Sequence, residues 1–176
     1  MHWMLMPLRR YADFSGRSRR MEYWMWILFQ FLIGLAFWVL MLVLGGSAMM
    51  SGDPTAMASA GAGMMIVWFL YMIVGLAFFI PSLAVTVRRL HDTNRTGWWI
   101  LAPLVPYVVA WVSILGGAAS GGEAGMATGG IIGMVAILAA LVLGLVLLVF
   151  MFLEGTRGPN QYGADPKGTD ANQVFA

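Results

Sequence analysis

Four uninterrupted apolar stretches dominate this chain. They run from about Tyr23 to Gly45, from about Met64 to Val87, from Trp98 to about Gly116 and from about Gly130 to Leu153, and none contains a charged residue. About 30 Å of hydrocarbon needs roughly 20 helical residues, so each stretch is long enough to cross a bilayer. The predicted fold is all-α: a polytopic membrane protein with four transmembrane helices, spanning about 23–45, 64–87, 98–116 and 130–153. A polar segment, 1–22, precedes this transmembrane domain (23–153) and a polar tail, 154–176, follows it. The first stretch exceeds the roughly 7–15-residue core of a cleavable signal peptide and no small-residue cleavage pattern follows it, so it reads as a retained helix.

Charge placement predicts the topology. Arg9, Arg10, Arg17, Arg19 and Arg20 precede the first span, Arg88, Arg89 and Arg95 lie between the second and third, and Arg157 and Lys167 follow the fourth. The other two loops, 46–63 and 117–129, carry no basic residue. Excess Lys and Arg mark cytoplasmic segments, so both termini are expected in the cytoplasm. Tyr23, Trp24, Trp26, Trp98 and Trp99 fall at cytoplasmic boundaries, and Trp68, Tyr71 and Trp111 near the outer one, where amphipathic rings favour the interface. Composition agrees. Hydrophobic residues make up 60% and charged residues 10%, against about 25% charged in soluble domains. Such a surface excludes a soluble enzyme, and a net charge of +2 is too small for a nucleic-acid reader. Cysteine is absent, which removes disulfides and thiolate chemistry.

The two outer loops offer little chemistry. Residues 116–133 hold eight glycines in eighteen positions, and Gly117, Gly121, Gly125, Gly129 and Gly133 recur every fourth residue. That spacing is shared with small-residue helix contacts, but the glycine density favours a flexible loop, which is the expectation here. Pro81 in the second span and Pro103 with Pro106 in the third are expected to kink those helices. Absence of charge within the spans argues against an ion-coupled carrier; a passive pore built by an oligomer stays open.

Specific chemistry is confined to three polar segments on the arginine-bearing side. In residues 14–24, Ser18 is expected to cap the first helix, with Arg20 and Glu22 in its first turns and Glu22 needing an arginine partner at the membrane boundary. In residues 88–99, continuation of the second helix past Val87 places Arg88, His91 and Asp92 on one face. Asn94 suits a left-handed turn, Thr96 can cap the third span, and the short connection makes spans two and three an expected antiparallel pair. Structurally, Asp92 is expected to pair with Arg88 and cap the hairpin; functionally, His91 and Asp92 could serve acid–base work at headgroup level. The structural role is favoured, since no nucleophile or metal set accompanies the pair. In the tail, Gly-Pro, Tyr-Gly and Asp-Pro pairs predict turns. Its composition favours disorder, while Asn160, Tyr162 and Asp165 offer partners for the arginines; beyond Lys167 disorder is expected.

Phe14-Ser15-Gly16-Arg17 with Arg20 and Glu22-Tyr23-Trp24, then Arg88-Arg89-Leu90-His91-Asp92 with Gly97-Trp98-Trp99, then Gly158, Asn160, Tyr162-Gly163 and Asp165-Pro166 together resemble the bacterial inner-membrane family known as domain of unknown function 805, the YhaH-like membrane proteins. The resemblance covers roughly Tyr11 to Pro166. It implies a bacterial plasma-membrane protein with about four helices, and no activity. Asn94 stands where such proteins usually have glycine, and the outer loops look longer and richer in glycine than usual.

Nine of the ten basic residues are arginine. Arginine suits bidentate contact with carboxylate or phosphate, although a GC-rich coding bias produces the same preference. The expected site is a cytoplasmic Arg/Asp/aromatic platform. It comprises Arg17, Arg20 and Glu22; Arg88, Arg89, His91, Asp92, Arg95, Trp98 and Trp99; and Asn160, Tyr162 and Asp165. Its candidate ligands are anionic lipid headgroups, a phosphorylated ligand or a protein partner. A membrane-embedded enzyme acting through His91 and Asp92, or a channel or transporter subunit, are the alternatives. No catalytic residue, cofactor or metal is assigned, because His2 and His91 alone make no metal site. The expected surroundings are the lipid bilayer and a homo-oligomer or membrane-protein partner, without nucleic acid.

Overall fold

A computed structural model of the chain describes residues 2–168, apart from the side chain of Met49. The disorder expected after Lys167 concerns residues that, from 169 on, lie outside the described ones. The elements are α1 (His2–Arg9), α2 (Arg20–Ser51), α3 (Pro54–Asp92), a 3-10 helix (Gly97–Leu101), α4 (Leu104–Ala119) and α5 (Glu123–Phe152). Among the described residues there is no strand; Asn160 and Gly163 form one isolated antiparallel bridge. Four segments are long and apolar enough to cross a membrane: Arg20–Ala48, Pro54–Asp92, Gly97–Ala119 and Glu123–Phe152. The protein is a four-span, all-α membrane protein. Its exposure pattern is inverted relative to a soluble fold. Met65, Leu76 and Val112 are 65–75% exposed, whereas Arg17, Ser18, Glu22, Arg88, Arg89 and Asp92 are buried. Lipid replaces water around the apolar side chains, so only the polar groups need enclosure.

Contacts divide the chain into two compact units. The first comprises residues up to Phe14 together with Met21–Val85. Within it α2 and α3 form an antiparallel hairpin turned at Gly52, whose φ is +65°, and Asp53. The Asp53 carboxylate caps α3, taking the Thr55 amide at 2.9 Å and its hydroxyl at 2.8 Å. Those two donors, the amide first, hold its carboxyl below the usual range by favouring the charged form. Farther along the pair, Phe37 packs on Tyr71 with ring centroids 5.2 Å apart, and the Trp26 indole donates to Ser82 Oγ at 3.0 Å. Pro81 lies inside α3, which remains one helix through it. A proline has no amide hydrogen, so the carbonyl four residues earlier loses its helical donor. That carbonyl belongs to Ala77, and the Tyr11 hydroxyl donates to it at 2.6 Å. The segment after α1 thus repairs the gap that Pro81 opens.

The second unit comprises Ser15–Arg20 and the chain from Thr86 onward. Here one expectation fails. Residues 116–133 are not a flexible loop: α4 runs to Ala119 and α5 starts at Glu123, leaving three residues for the turn. The first outer loop, 46–63, is likewise mostly helix, since α2 extends to Ser51 and α3 begins at Pro54. A chain near or in lipid satisfies its backbone polar groups by continuing the helix, and glycine is tolerated there for close packing. The ladder is a helix contact. A Cβ on Gly117 would come within 2.6 Å of the Gly125 carbonyl oxygen and 2.9 Å of Gly129 Cα. One on Gly129 would collide with the Ser113 carbonyl, and one on Gly133 would lie 2.5 Å from Ile114 Cγ1. Gly117, Gly129 and Gly133 therefore bring α4 and α5 together as an antiparallel pair. Pro103 breaks the third span rather than kinking it, standing between the 3-10 helix and α4 as the N-cap of α4.

Candidate functional site

The site grows from the unfinished end of a helix. A helix leaves its last four carbonyls without intrahelical donors, and α3 ends at Asp92 with a carboxylate, the wrong sign for the negative end of a helix dipole. The surrounding chain answers both problems. The Ser18 amide donates to the Arg88 carbonyl at 3.1 Å. Thr93 and Arg95 amides donate to the Leu90 carbonyl at 3.1 and 2.9 Å. The His91 carbonyl takes the Asn94 amide at 3.0 Å and the Asn160 side-chain amide at 2.9 Å. The Asp92 carbonyl takes the Thr156 amide at 2.8 Å. Asn94 has φ +57°, the left-handed turn expected of it.

The Asp92 carboxylate is gripped by two arginines. Arg17 Nε donates to Oδ1 at 2.9 Å, and Arg89 Nη1 to Oδ2. The side chains of Arg17 and Arg89 are 1% and 0% exposed, that of Asp92 7%. One carboxylate cannot balance two cations; the remaining guanidinium hydrogens go to chain carbonyls. Arg17 donates to Gly158 O at 2.7 Å and Thr156 O at 2.5 Å. Arg89 donates to Met151 O at 3.3 Å and to Leu153 O, both at the C-terminal end of α5. Capping is thus reciprocal. The tail completes α3, and an arginine on α3 completes α5, where a cation complements the dipole.

This pairing corrects the expected one. The expected partner of Asp92 is Arg88, at i−4; the ion pairs on its carboxylate come instead from Arg89, at i−3, and from Arg17. Ser18 does not cap α2, which starts at Arg20; its hydroxyl is buried with no hydrogen-bond partner among the described residues. Thr96 stands at the N-cap of the 3-10 helix, without a side-chain capping bond.

Around this centre the tail is ordered by turns. His91 stacks on Tyr162 with ring centroids 3.8 Å apart and planes 3° from parallel, and His91 Nδ1 lies 3.2 Å from Gly16 O. A carbonyl oxygen only accepts, so the proton sits on Nδ1. Asn160 Oδ1 accepts the Tyr162 amide at 2.9 Å. Asp165 accepts the Lys167 amide at 2.8 Å and the Gly158 amide at 3.0 Å. Those donors, Lys167 first, hold its carboxyl below the usual range.

Other candidates stand nearer the edge. Arg20 pairs with Glu154 at 2.7 Å with both side chains substantially exposed. The Arg95 guanidinium lies 3.9 Å above the Phe150 ring, which packs T-shaped against Trp99 with ring centroids 5.2 Å apart. Trp98 is 77% exposed and stands apart. Glu22 is buried in the first turn of α2 and belongs to the other compact unit.

Gly155 and Thr156 were not anticipated. A Cβ on Gly155 would collide with the Asp92 carboxylate, so only glycine lets the backbone pass so close. Neither residue carries a chemical signal in sequence; their position just after the last span was the only hint. Among the described residues no three His, Cys, Asp or Glu side chains gather as metal ligands.

A model of the family described as protein of unknown function (DUF805) matches residues 11–164. The chain belongs to the DUF805 family. It is 35% identical to the Escherichia coli inner membrane protein YhaI over 167 residues, covering 95% of this chain and 97% of YhaI. Identity to the E. coli inner membrane protein YhaH is 31% over 167 residues, covering 95% and 98%. The E. coli protein YiiR is 28% identical over 156 residues, covering 87% and 85%. No solved structure matches the chain. As a DUF805 protein with four apolar helices and inner-membrane relatives, this chain is an integral membrane protein. The matched region begins at Tyr11, which serves the Pro81 gap, and includes Arg17, Arg89, Asp92 and Asn160 from all three segments around the clamp.

Proposed function

We propose that this protein lies in the bacterial inner membrane with both termini in the cytoplasm, and that its three polar segments form a folded platform that binds anionic lipid headgroups. Convergence of those segments on Asp92 carries the reading. The buried arginines Arg17 and Arg89 are spent internally, on the carboxylate and on chain carbonyls. They hold four other basic residues, Arg19, Arg20, Arg157 and Lys167, on an ordered scaffold beside the end of α5. Clustered basic residues at a membrane surface attract anionic lipid by about 1 kcal/mol each. Catalysis through His91 and Asp92 is the weaker reading, because both Asp92 oxygens and His91 Nδ1 are already engaged.

Orientation has a direct measurement, since the chain contains no cysteine. In intact bacterial spheroplasts a membrane-impermeant maleimide is expected to label Ser59→Cys and to spare His2→Cys until the cells are lysed. Labelling of His2→Cys without lysis rejects the orientation.

Lipid preference is read by native mass spectrometry of the full chain from mixed phosphatidylcholine and phosphatidylglycerol. Retained phosphatidylglycerol is expected to exceed its share of the mixture and to fall severalfold when Arg19, Arg20, Arg157 and Lys167 are all replaced by Gln. Retention that ignores these four charges rejects the platform as a headgroup binder.

A further inference from the structure

Within the second unit, the tail, Arg19 and the end of α3 at Asp92 line a cavity of about 200 Å³. Its walls carry the cations Arg19, Arg157 and Lys167 and the carboxylates Asp92, Glu154 and Asp165. By formal charge the lining is balanced, yet the two signs are not equally available. Asp92 has both oxygens on Arg17 and Arg89. Glu154 Oε1 is taken by Arg20 at 2.7 Å. Each Asp165 oxygen accepts a backbone amide. The side chains of Arg157 and Lys167, by contrast, have no hydrogen-bond or ion-pair partner among the described residues. Counting Arg17, Arg89 and Arg20 behind these carboxylates, six cations stand against three anions around the cavity, and its surroundings are net positive.

Size narrows the ligand. Drug-sized ligands occupy about 300–1,000 Å³, so this cavity admits a small anion with a short substituent. Position narrows it further. Glu154 and Gly155 follow Phe152, the last residue of α5, which puts the cavity at the edge of the hydrocarbon, where lipid phosphates lie. A guanidinium and an ammonium across a small cavity suit an oxyanion with several acceptor oxygens, the arginine contributing a planar fork and the lysine a point charge.

We propose that this cavity binds a single phosphate group, as a lipid phosphodiester or as a free phosphate, with Arg157 and Lys167 as its contacting residues. The proposal rests on the headgroup reading only for where the phosphate comes from. Specific occupancy of one cavity differs from the diffuse attraction of a basic surface, and the two can be separated.

The full chain is placed in dodecyl maltoside micelles, which contain no phosphate, and inorganic phosphate is titrated by isothermal calorimetry. One saturable site is expected. A hydrogen bond to a charged group contributes about 1.5 kcal/mol or more, so Arg157→Gln and Lys167→Gln should each weaken phosphate about tenfold or more. Arg9→Gln removes an exposed basic residue outside the cavity and should leave the affinity unchanged. A second arm adds phosphatidylglycerol to the micelles. Loss of the phosphate isotherm there assigns the site to the lipid phosphodiester, and persistence assigns it to free phosphate; either supports the cavity.

Two results overturn it. One is an equal loss in Arg9→Gln, Arg157→Gln and Lys167→Gln, which reduces binding to surface charge. The other is no saturable phosphate binding in either arm. Phosphatidylglycerol retention that still depends on the basic cluster would then leave the headgroup reading standing without the cavity. Saturable phosphate binding beside charge-independent lipid retention would do the reverse.

Discussion

Replacing Asp92 with Asn is expected to release the segment after α5 and to destabilise the protein by about 3–5 kcal/mol, the usual cost of leaving a buried charge without its partner. The amide keeps the shape of the carboxylate and loses its charge. Arg17 and Arg89, with side chains 1% and 0% exposed, then face each other with no anion between them. Carbonyls of Thr156, Gly158, Met151 and Leu153 solvate the guanidinium hydrogens, but they carry only partial charge. The arginines would move toward water, and the tail that they hold would go with them. Tryptic cleavage after Arg157 reads this release, alongside the thermal midpoint in detergent. Glu154→Gln is the matched comparison. Its partner Arg20 is 35% exposed and Glu154 itself 67%, so that change should cost under about 1 kcal/mol. An Asp92→Asn protein as stable and as protease-resistant as the parent would show that the clamp does not hold the tail.

The second large effect lies in the spans. Gly129→Ala places a methyl against the Ser113 carbonyl oxygen and 2.9 Å from Gly117 Cα. Both are backbone atoms, so no side chain can rotate away and α4 and α5 must separate. Overpacking of this kind costs about 1–3 kcal/mol. Gly130→Ala, one residue on, meets nothing within 4 Å, and by helix propensity alone should be neutral or stabilising by up to about 1 kcal/mol. Adjacent glycines are thus expected to respond with opposite sign in thermal unfolding of the detergent-solubilised chain. Equal responses would mean that the close approach of the two helices contributes nothing to stability.

Some of this was legible in the sequence because it depends on composition over long windows. Twenty apolar residues without a charge leave few alternatives to a span, and the four helices follow. Asn94 was readable because few residues tolerate a left-handed backbone. Arg17, Arg89, His91, Asp92, Asn160 and Tyr162 were named as candidates, and they do meet. Their pairings were less accessible. Arg88 and Arg89 sit four and three residues before Asp92, and helical geometry allows either to reach it. The carboxylate takes Arg89 together with Arg17, 75 residues away, a partner that no local pattern can rank. The glycine ladder was misread for a different reason. Glycine density signals flexibility in water, where exposed backbone is solvated; next to lipid the same residues permit close helix packing. Gly155 and Thr156 act through backbone position, and residue type alone does not announce that role.

Reciprocal capping has a consequence for biosynthesis. The α3 end needs Ser18 from ahead of the first span and Thr156 and Asn160 from behind the last. As the chain is inserted helix by helix, Arg89 and Asp92 leave the ribosome more than 60 residues before the carbonyls and amides that complete their surroundings. For that interval they are an arginine-rich hairpin with an open end. A chain stopped after the fourth span would have all its membrane helices and an unfinished arginine centre.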